Sequence, residues 1–190
     1  MRKIVVSTFM SLDGVVEDPH RWSSCFQDDV AARDALALVQ RSEALLLGRM
    51  TYQGFAATWP DRADPYGFAD RINRMPKYVI STTLRDPHCA NTTVLDGDGA
   101  DEVRRLKRQP GGDLLLYGSP TLTQALMVHD LIDEYRLLLS PVVLGQGQRL
   151  FPDGVPGKKL KLASATPYPG GMVRLQLTPA SIDIRNLICA

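Results

Sequence analysis

The chain has 190 residues, enough for one domain with a real core and short for two. Hydrophobic content of 44% and charged content of 23% are those of a soluble globular protein rather than a disordered or membrane-spanning one. Its 22 basic and 21 acidic side chains leave a formal charge of +1, which argues against nucleic acid or an anionic membrane surface as an obligate partner.

The first apolar run, "KIVVSTF" (3–9), is rich in β-branched and aromatic residues and predicts a buried strand. "SLDG" predicts a turn, and residues 15–27 are irregular. From Asp28, "DDVAARDALALVQRSE" predicts a helix with an apolar stripe and aspartates at its positive end. "ALLLG" (44–48) is a second strand, followed by helical signals at 49–56, a loop at 57–67 and a short helix, "FADRINRM". "KYVIS" (77–81) and "TTVL" (92–95) are strands. A polar-faced helix follows at 99–109, then strand "DLLLY" (113–117) and a helix at 119–128. The pattern then changes, because "EYRLLLSPVV" (134–143), "KKLKLASATPY" (158–168) and "MVRLQLTP" (172–179) read as strands with no helices between them. The expected fold is α/β, a mostly parallel central sheet of about eight strands with an antiparallel C-terminal section and helices on both faces. One domain, 1–178, is expected, with an apolar tail at 179–190.

Cys25, Cys89 and Cys189 are far apart and odd in number, with no C-x-x-C pair. That argues for free thiols in a reducing compartment, against a disulfide scaffold or a zinc site. His20, His88 and His129 share no ligand spacing, so no metal is expected. The apolar start is broken by Asp13 too soon for an export signal, and no segment reaches the length of a membrane span. The expected location is the cytoplasm.

Three strand ends carry residues suited to phosphate. In an open α/β sheet, ligands bind outside the carboxyl ends of the strands. "LLLYGSPTL" ends a strand at Gly118 and opens a helix at Ser119–Thr121, where free amides and the helix dipole attract an anion. A glycine there lets a phosphate approach the backbone. "ALLLGRMTY" repeats the plan at Gly48 and adds the Arg49 guanidinium and the Thr51 hydroxyl. "KYVISTTLR" ends in Ser81, Thr82 and Thr83. Each glycine is also explained by a tight turn alone; together the three ends suit an extended polyphosphate such as a dinucleotide. G-x-x-x-x-G-K-[ST] is absent, and "VVLGQGQRLF" (142–151) fails the G-x-G-x-x-G pattern at Leu150, so it reads as a loop between antiparallel strands.

These strings, "STFMSLDGVVEDPHRW", "LLLGRMTYQGFAATWP", "PKYVISTTL" and "LLLYGSPTLTQALMVHDLIDEYRLLLSPVVLGQGQRLF", resemble the bacterial bifunctional deaminase-reductase C-terminal domain family. That family includes the riboflavin-pathway reductases and has the dihydrofolate reductase fold. The resemblance covers about residues 1–178 and is strongest to the stand-alone, single-domain branch. It implies an NADPH-dependent reductase and a homodimer. By resemblance, Gly48, Arg49 and Thr51 with Ser81, Thr82 and Thr83 bind the adenosine phosphate end of NADPH. Gly118, Ser119, Thr121 and Leu122 wrap the pyrophosphate. The nicotinamide lies toward Thr8 and the "SLDG" turn, with Gly145–Gln148 covering it. The implied reaction is hydride transfer to a C=N or C=O carbon of a small heterocycle. The substrate would resemble dihydrofolate or 5-amino-6-(5-phosphoribosylamino)uracil.

Asp13 is the expected catalytic group, steering or relaying a proton beside the nicotinamide. The competing reading is a turn aspartate bonded to nearby backbone. Asp28 and Asp29 are rivals that helix N-capping also explains. Trp22, Phe55 and Trp59 are candidate walls of a flat substrate pocket, each explained equally well by core packing. Tyr52 and Tyr117, inside predicted elements, are read as structural. A non-catalytic nucleotide or ligand binder that keeps the fold, and a structural dimer module, are the alternative readings.

Overall fold

The computed structural model describes residues 1–180. Eight strands form one sheet in the order β4-β3-β2-β5-β1-β6-β8-β7. β1 (Ile4–Ser11), β2 (Ala44–Gly48), β3 (Lys77–Ile80), β4 (Thr92–Leu95), β5 (Leu114–Tyr117) and β6 (Glu134–Ser140) all run parallel. β7 (Leu160–Pro167) and β8 (Val173–Pro179) close the sheet antiparallel. The helices are α1 (Asp29–Arg41), α2 (Arg49–Thr58), α3 (Phe68–Arg74), α4 (Gly99–Arg108) and α5 (Pro120–Val128). This is the expected α/β architecture. Among the described residues, no helix is long and apolar enough to cross a membrane.

The central strands are apolar on both sides, as parallel strands covered on both faces must be. Alternate residues of β1, β2 and β5 supply two cores. Val5, Leu45 and Leu115 pack against Leu38 of α1, Tyr52 of α2 and Ile72 of α3. Ile4, Leu46 and Leu116 pack against Val103 of α4 and Leu126 of α5. The sheet therefore carries α1–α3 on one face and α4–α5 on the other. Asp34 of α1 joins this layer to the C-terminal hairpin, accepting bonds from Arg136 (2.8 Å), Arg174 (2.5 Å) and the Tyr168 hydroxyl (2.6 Å).

Among the boundaries that differ from the sequence expectation, two have evident causes. β1 runs on to Ser11, because pairing with β6 continues through Ser11 and Ser140. β6 stops at Ser140, before Pro141, which has no N–H to give to a ladder. The irregular stretch contains short 3₁₀ turns at Pro19–Arg21 and Ser24–Phe26. Of the tail read at 179–190, residues 181–190 lie outside the described residues, and Cys189 with them.

At the end where the parallel strands begin, several buried polar groups are paired, although Thr92 Oγ1 and Glu134 Oε1, at the first residues of β4 and β6, have no hydrogen-bond partner among the described residues. Buried Arg2 donates to the Gly112 carbonyl (2.8 Å) and to Glu43 (2.7 Å), and Glu43 accepts from the Gly112 N–H (2.6 Å). Buried Lys107 bonds the Leu131 carbonyl (2.8 Å) and Asp133, which also accepts from the Ile4 N–H (2.7 Å).

Candidate functional site

The finishing end of the parallel strands is built differently. The chain passes outward from β2 to β3 and β4, then returns to insert β5 between β2 and β1. Such a reversal leaves a crevice at the carboxyl ends. Gly48 and Gly118 end the neighbouring strands β2 and β5, and each opens a helix. The Ser119 hydroxyl accepts from the Gly48 N–H (3.0 Å), locking the two turns together. A Cβ at Gly48 would stand 3.8 Å from Ser119 and Leu122, and one at Gly118 would stand 3.6 Å from Thr51. Gly118 (φ +63°) and Ser119 (φ 51°) are both left-handed, a conformation uncommon for serine. With its hydroxyl engaged at Gly48, Ser119 does not cap its own helix. Among the described residues, no side chain caps the N-terminus of α2 or α5. Two helix N-termini on adjacent strands thus lack side-chain acceptors for their first amides, an arrangement that attracts an anion.

Arg49 opens α2, exposed, with only a long 3.4 Å contact to Gln53. Thr121 lies on the first turn of α5 and accepts from the Gln148 side chain (3.2 Å). Leu122 points into the core beneath the turn. The Ser81 hydroxyl, at the end of β3, accepts from the Thr83 and Leu84 N–H groups (3.2 and 3.0 Å) and so braces its own turn, while Thr82 and Thr83 are exposed. Thr8 is buried, its hydroxyl donating to the Phe9 carbonyl (3.2 Å).

The segment 142–150 folds back over the start of α5. Val15 and Arg149 form an antiparallel bridge, and Gln124 donates to the Arg149 carbonyl (2.8 Å). Leu150, 1% exposed, anchors the segment in the core, while residues 145–149 are exposed. Two carboxylates hold its amides. Asp13 accepts from the N–H groups of Leu144 (3.1 Å) and Gly145 (2.8 Å), and Glu17 accepts from that of Gln148 (3.0 Å). Asp13 also accepts from the Ser11 hydroxyl (2.7 Å). This hydroxyl and the loop amides hold the Asp13 pKa down to about 2. A carboxylate so stabilised in its charged form is poorly suited to deliver a proton near neutral pH. Its geometry is that of an anchor for the covering loop, a reading that local sequence does not offer because two donors come from the far end of the chain.

Phe55 and Trp59 meet, with ring centroids 5.8 Å apart, and are joined by Phe68 and Tyr117. Trp22 stands outside this group, its indole N–H donating to the Glu17 carbonyl (2.8 Å). Of the three candidate wall residues, Phe55 and Trp59 are in contact, and Trp22 is not in ring contact with either. Tyr117 and Phe68 were not singled out as pocket residues. The signal for Tyr117 was its place directly before Gly118, on the same strand face as Leu115. Asp28 caps α1, accepting from the Ala31 N–H (2.8 Å) and from Gly170 (2.5 Å), and Asp29 accepts from the Tyr66 hydroxyl (2.5 Å). Both rivals to Asp13 are thus committed to structural bonds.

The chain matches the RibD C-terminal domain family over residues 2–174. It is 30% identical over 182 residues to YyaP of Bacillus subtilis (strain 168), itself uncharacterised, covering 92% of this chain and 93% of that one. Among solved structures it is similar to a protein of Shewanella sp. PV-4 whose name ties it to riboflavin biosynthesis, with a TM-score of 0.77 at 20% identity, covering 94% and 99% of the two chains. It is also similar to the dihydrofolate reductase of Enterococcus faecalis complexed with NADP(H), with a TM-score of 0.62 at 12% identity, covering 94% and 97%. The fold is dihydrofolate reductase-like. On the match across almost its whole length, the chain belongs to the RibD C-terminal domain family, whose character supports a reductase-type role.

Proposed function

We propose that the protein is an NADPH-dependent reductase that transfers a hydride to the carbon of a C=N or C=O group in a small heterocycle. The observation that carries this reading is the pair of interlocked, uncapped helix N-termini at Gly48 and Gly118. Glycine at each turn and free amides beyond it suit the diphosphate of a dinucleotide. Gly118, Ser119 and Thr121 would hold that diphosphate, with Leu122 supporting the turn from below. Gly48, Arg49 and Thr51, with Ser81, Thr82 and Thr83, would hold the adenosine end. A 2′-phosphate is close to dianionic, and an exposed arginine at a helix N-terminus favours it. When bound, the reduced nicotinamide supplies the hydride. Thr8 would lie beside it.

Asp13 enters this reading as a positioning residue. It holds the loop around Gly145, which would exclude water from the reacting end. That engaged carboxylate is also the observation favouring a second reading, a nucleotide binder without turnover, because it commits Asp13 to the loop rather than to proton transfer. A homodimer is proposed from the family resemblance, and a monomer by light scattering would overturn it.

The test is titration with NADPH and NADH, followed by nicotinamide fluorescence. NADPH is expected to bind in the micromolar range and NADH much more weakly. Arg49→Ala should remove about tenfold or more of the preference, the size of one charge-assisted contact. Failure to bind either nucleotide would overturn the reading. Binding without oxidation of NADPH across a panel of carbonyl and imine substrates would favour the second.

A further inference from the structure

In the β7–β8 hairpin the polar face is covered and the apolar face is open. Along β8, Arg174, Gln176 and Thr178 alternate with Val173, Leu175 and Leu177, so the two faces differ in chemistry. The polar face meets α1, where Asp34 accepts bonds from Arg136 and Arg174. The apolar face continues the side that α4 and α5 cover over the parallel strands, because Leu175 and Leu177 pair with Leu137 and Tyr135 of that core. There the cover runs out. Val173, Leu175 and Leu177 are only half-buried, Ala165 opposite Leu175 is exposed, and Leu162 opposite Leu177 is 54% exposed. A contiguous apolar patch left open on a sheet face calls for an occupant.

The chain supplies one beside it. β8 ends at Pro179, opposite Leu160, and the Ala180 N–H donates to the Lys159 carbonyl (3.0 Å), so the chain enters residues 181–190 from beside the start of β7. That segment, "SIDIRNLICA", holds Ile182, Ile184, Leu187, Ile188, Cys189 and Ala190 against the two charges of Asp183 and Arg185. Ser181, Asp183 and Arg185 alternate with Ile182 and Ile184, the period of a segment with one side on an apolar surface. Its ten residues reach up to about 33 Å, against about 23 Å for the seven residues of β8, which is enough to cross the face from end to end. Two strands offer about 10 Å by 23 Å, roughly 230 Å², well below the ~800 Å² that each partner of a stable dimer buries. The patch therefore fits a short segment tethered beside it, at a high effective concentration, better than a second copy.

We propose that residues 181–190 dock on the apolar face of the β7–β8 hairpin of their own chain, with Ile182 and Ile184 set against Leu162 and Leu177. The docked segment extends the core past the reach of α4 and α5. It also shields β7, the edge strand of the sheet, whose exposed Leu162 and Ala165 would otherwise invite other chains. The proposal stands apart from the nucleotide reading, because β1 and β6 separate the hairpin from the glycine turns at β2 and β5.

Cys189 lies in the segment and serves as its reporter. With Cys25→Ser and Cys89→Ser it is the single thiol of the full chain, and its alkylation by iodoacetamide is followed by mass spectrometry. In the native protein it should react at least about tenfold more slowly than in the urea-unfolded chain, since the segment must first undock. Leu162→Asp puts a charge on the face at an exposed position and should restore most of the unfolded rate, with the far-ultraviolet circular dichroism unchanged. If that variant does not fold, Ala165→Asp, exposed on the same face, takes its place. An unfolded-like rate in the parent protein overturns the proposal. Protection that survives the aspartate overturns it too, because the segment then lies elsewhere. Protection that is lost on dilution also overturns it, because the cover is then a second copy.

Discussion

The two ends of the parallel sheet are made from the same strands and use their charged side chains and turns differently. Where the strands begin, Arg2, Glu43, Lys107 and Asp133 are paired with one another or with backbone. Where they finish, Ser119 serves Gly48 instead of its own helix, and Arg49 is exposed. A satisfied polar group holds the fold together. Unpartnered buried oxygens occur at both ends, Thr92 Oγ1 and Glu134 Oε1 where β4 and β6 begin and Ser140 Oγ where β6 finishes, but the uncapped glycine turns, one of them followed by exposed Arg49, lie at the finishing end alone among the described residues.

The contrast predicts opposite consequences for substitutions at the two ends. The largest effect on stability belongs to the starting end. Asp133→Ala leaves buried Lys107 without its carboxylate and the Ile4 N–H without its acceptor. Asp133 is itself 38% exposed, so the cost is that of the two buried donors it leaves unsatisfied, about 1–3 kcal/mol each. Urea unfolding should show that loss, and NADPH affinity measured on the folded protein should not change. A fall in affinity with no loss of stability would break the comparison.

Gly118→Ala tests the finishing end. The φ of +63° strains any residue with a Cβ, at about 1–2 kcal/mol, although the space beside Thr51 is sufficient. The expected loss of stability is therefore smaller than for Asp133→Ala. The loss of nucleotide affinity should exceed tenfold, because the displaced turn carries the first amides of α5. Unfolding curves and NADPH titrations on the same sample separate the two quantities.

How far this contrast was legible in the sequence depends on the range of each interaction. The strands were visible as apolar runs, and the Asp28 cap was visible because an aspartate at a helix start offers an acceptor to local amides. The limits of β1 and β6 were less so, since pairing between Ser11 and Ser140 sets one and Pro141 the other. Gly48 and Gly118 were each readable as turns. Their joining through Ser119 was not, because it links residues 71 apart. Trp22 was grouped with Phe55 and Trp59 on residue type alone, and its loop carries it elsewhere. Tyr117 was read as structural because it lies in a strand. Strand parity shows which face it shares, but only the packed structure shows its ring edge-on to Phe55 and Phe68.

The smallest effect, and the one that most sharpens the role of the finishing end, concerns Asp13. Its pKa is held at about 2, against an ordinary 3.8, by Ser11 and the loop amides. A depressed folded value stabilises the loop contact above the unfolded pKa, and that contribution is lost as pH falls from about 4 through about 2. The Gly145 amide resonance, followed by NMR, should therefore titrate with a midpoint near 2, and Asp13→Asn should abolish the titration. The global fold should change little, because the carboxylate holds an exposed loop rather than the core. A midpoint at or above 3.8 would mean that the loop amides do not hold this carboxylate. Asp13 would then return as the proton-handling group, and the finishing end would lose its anchor for the covering loop.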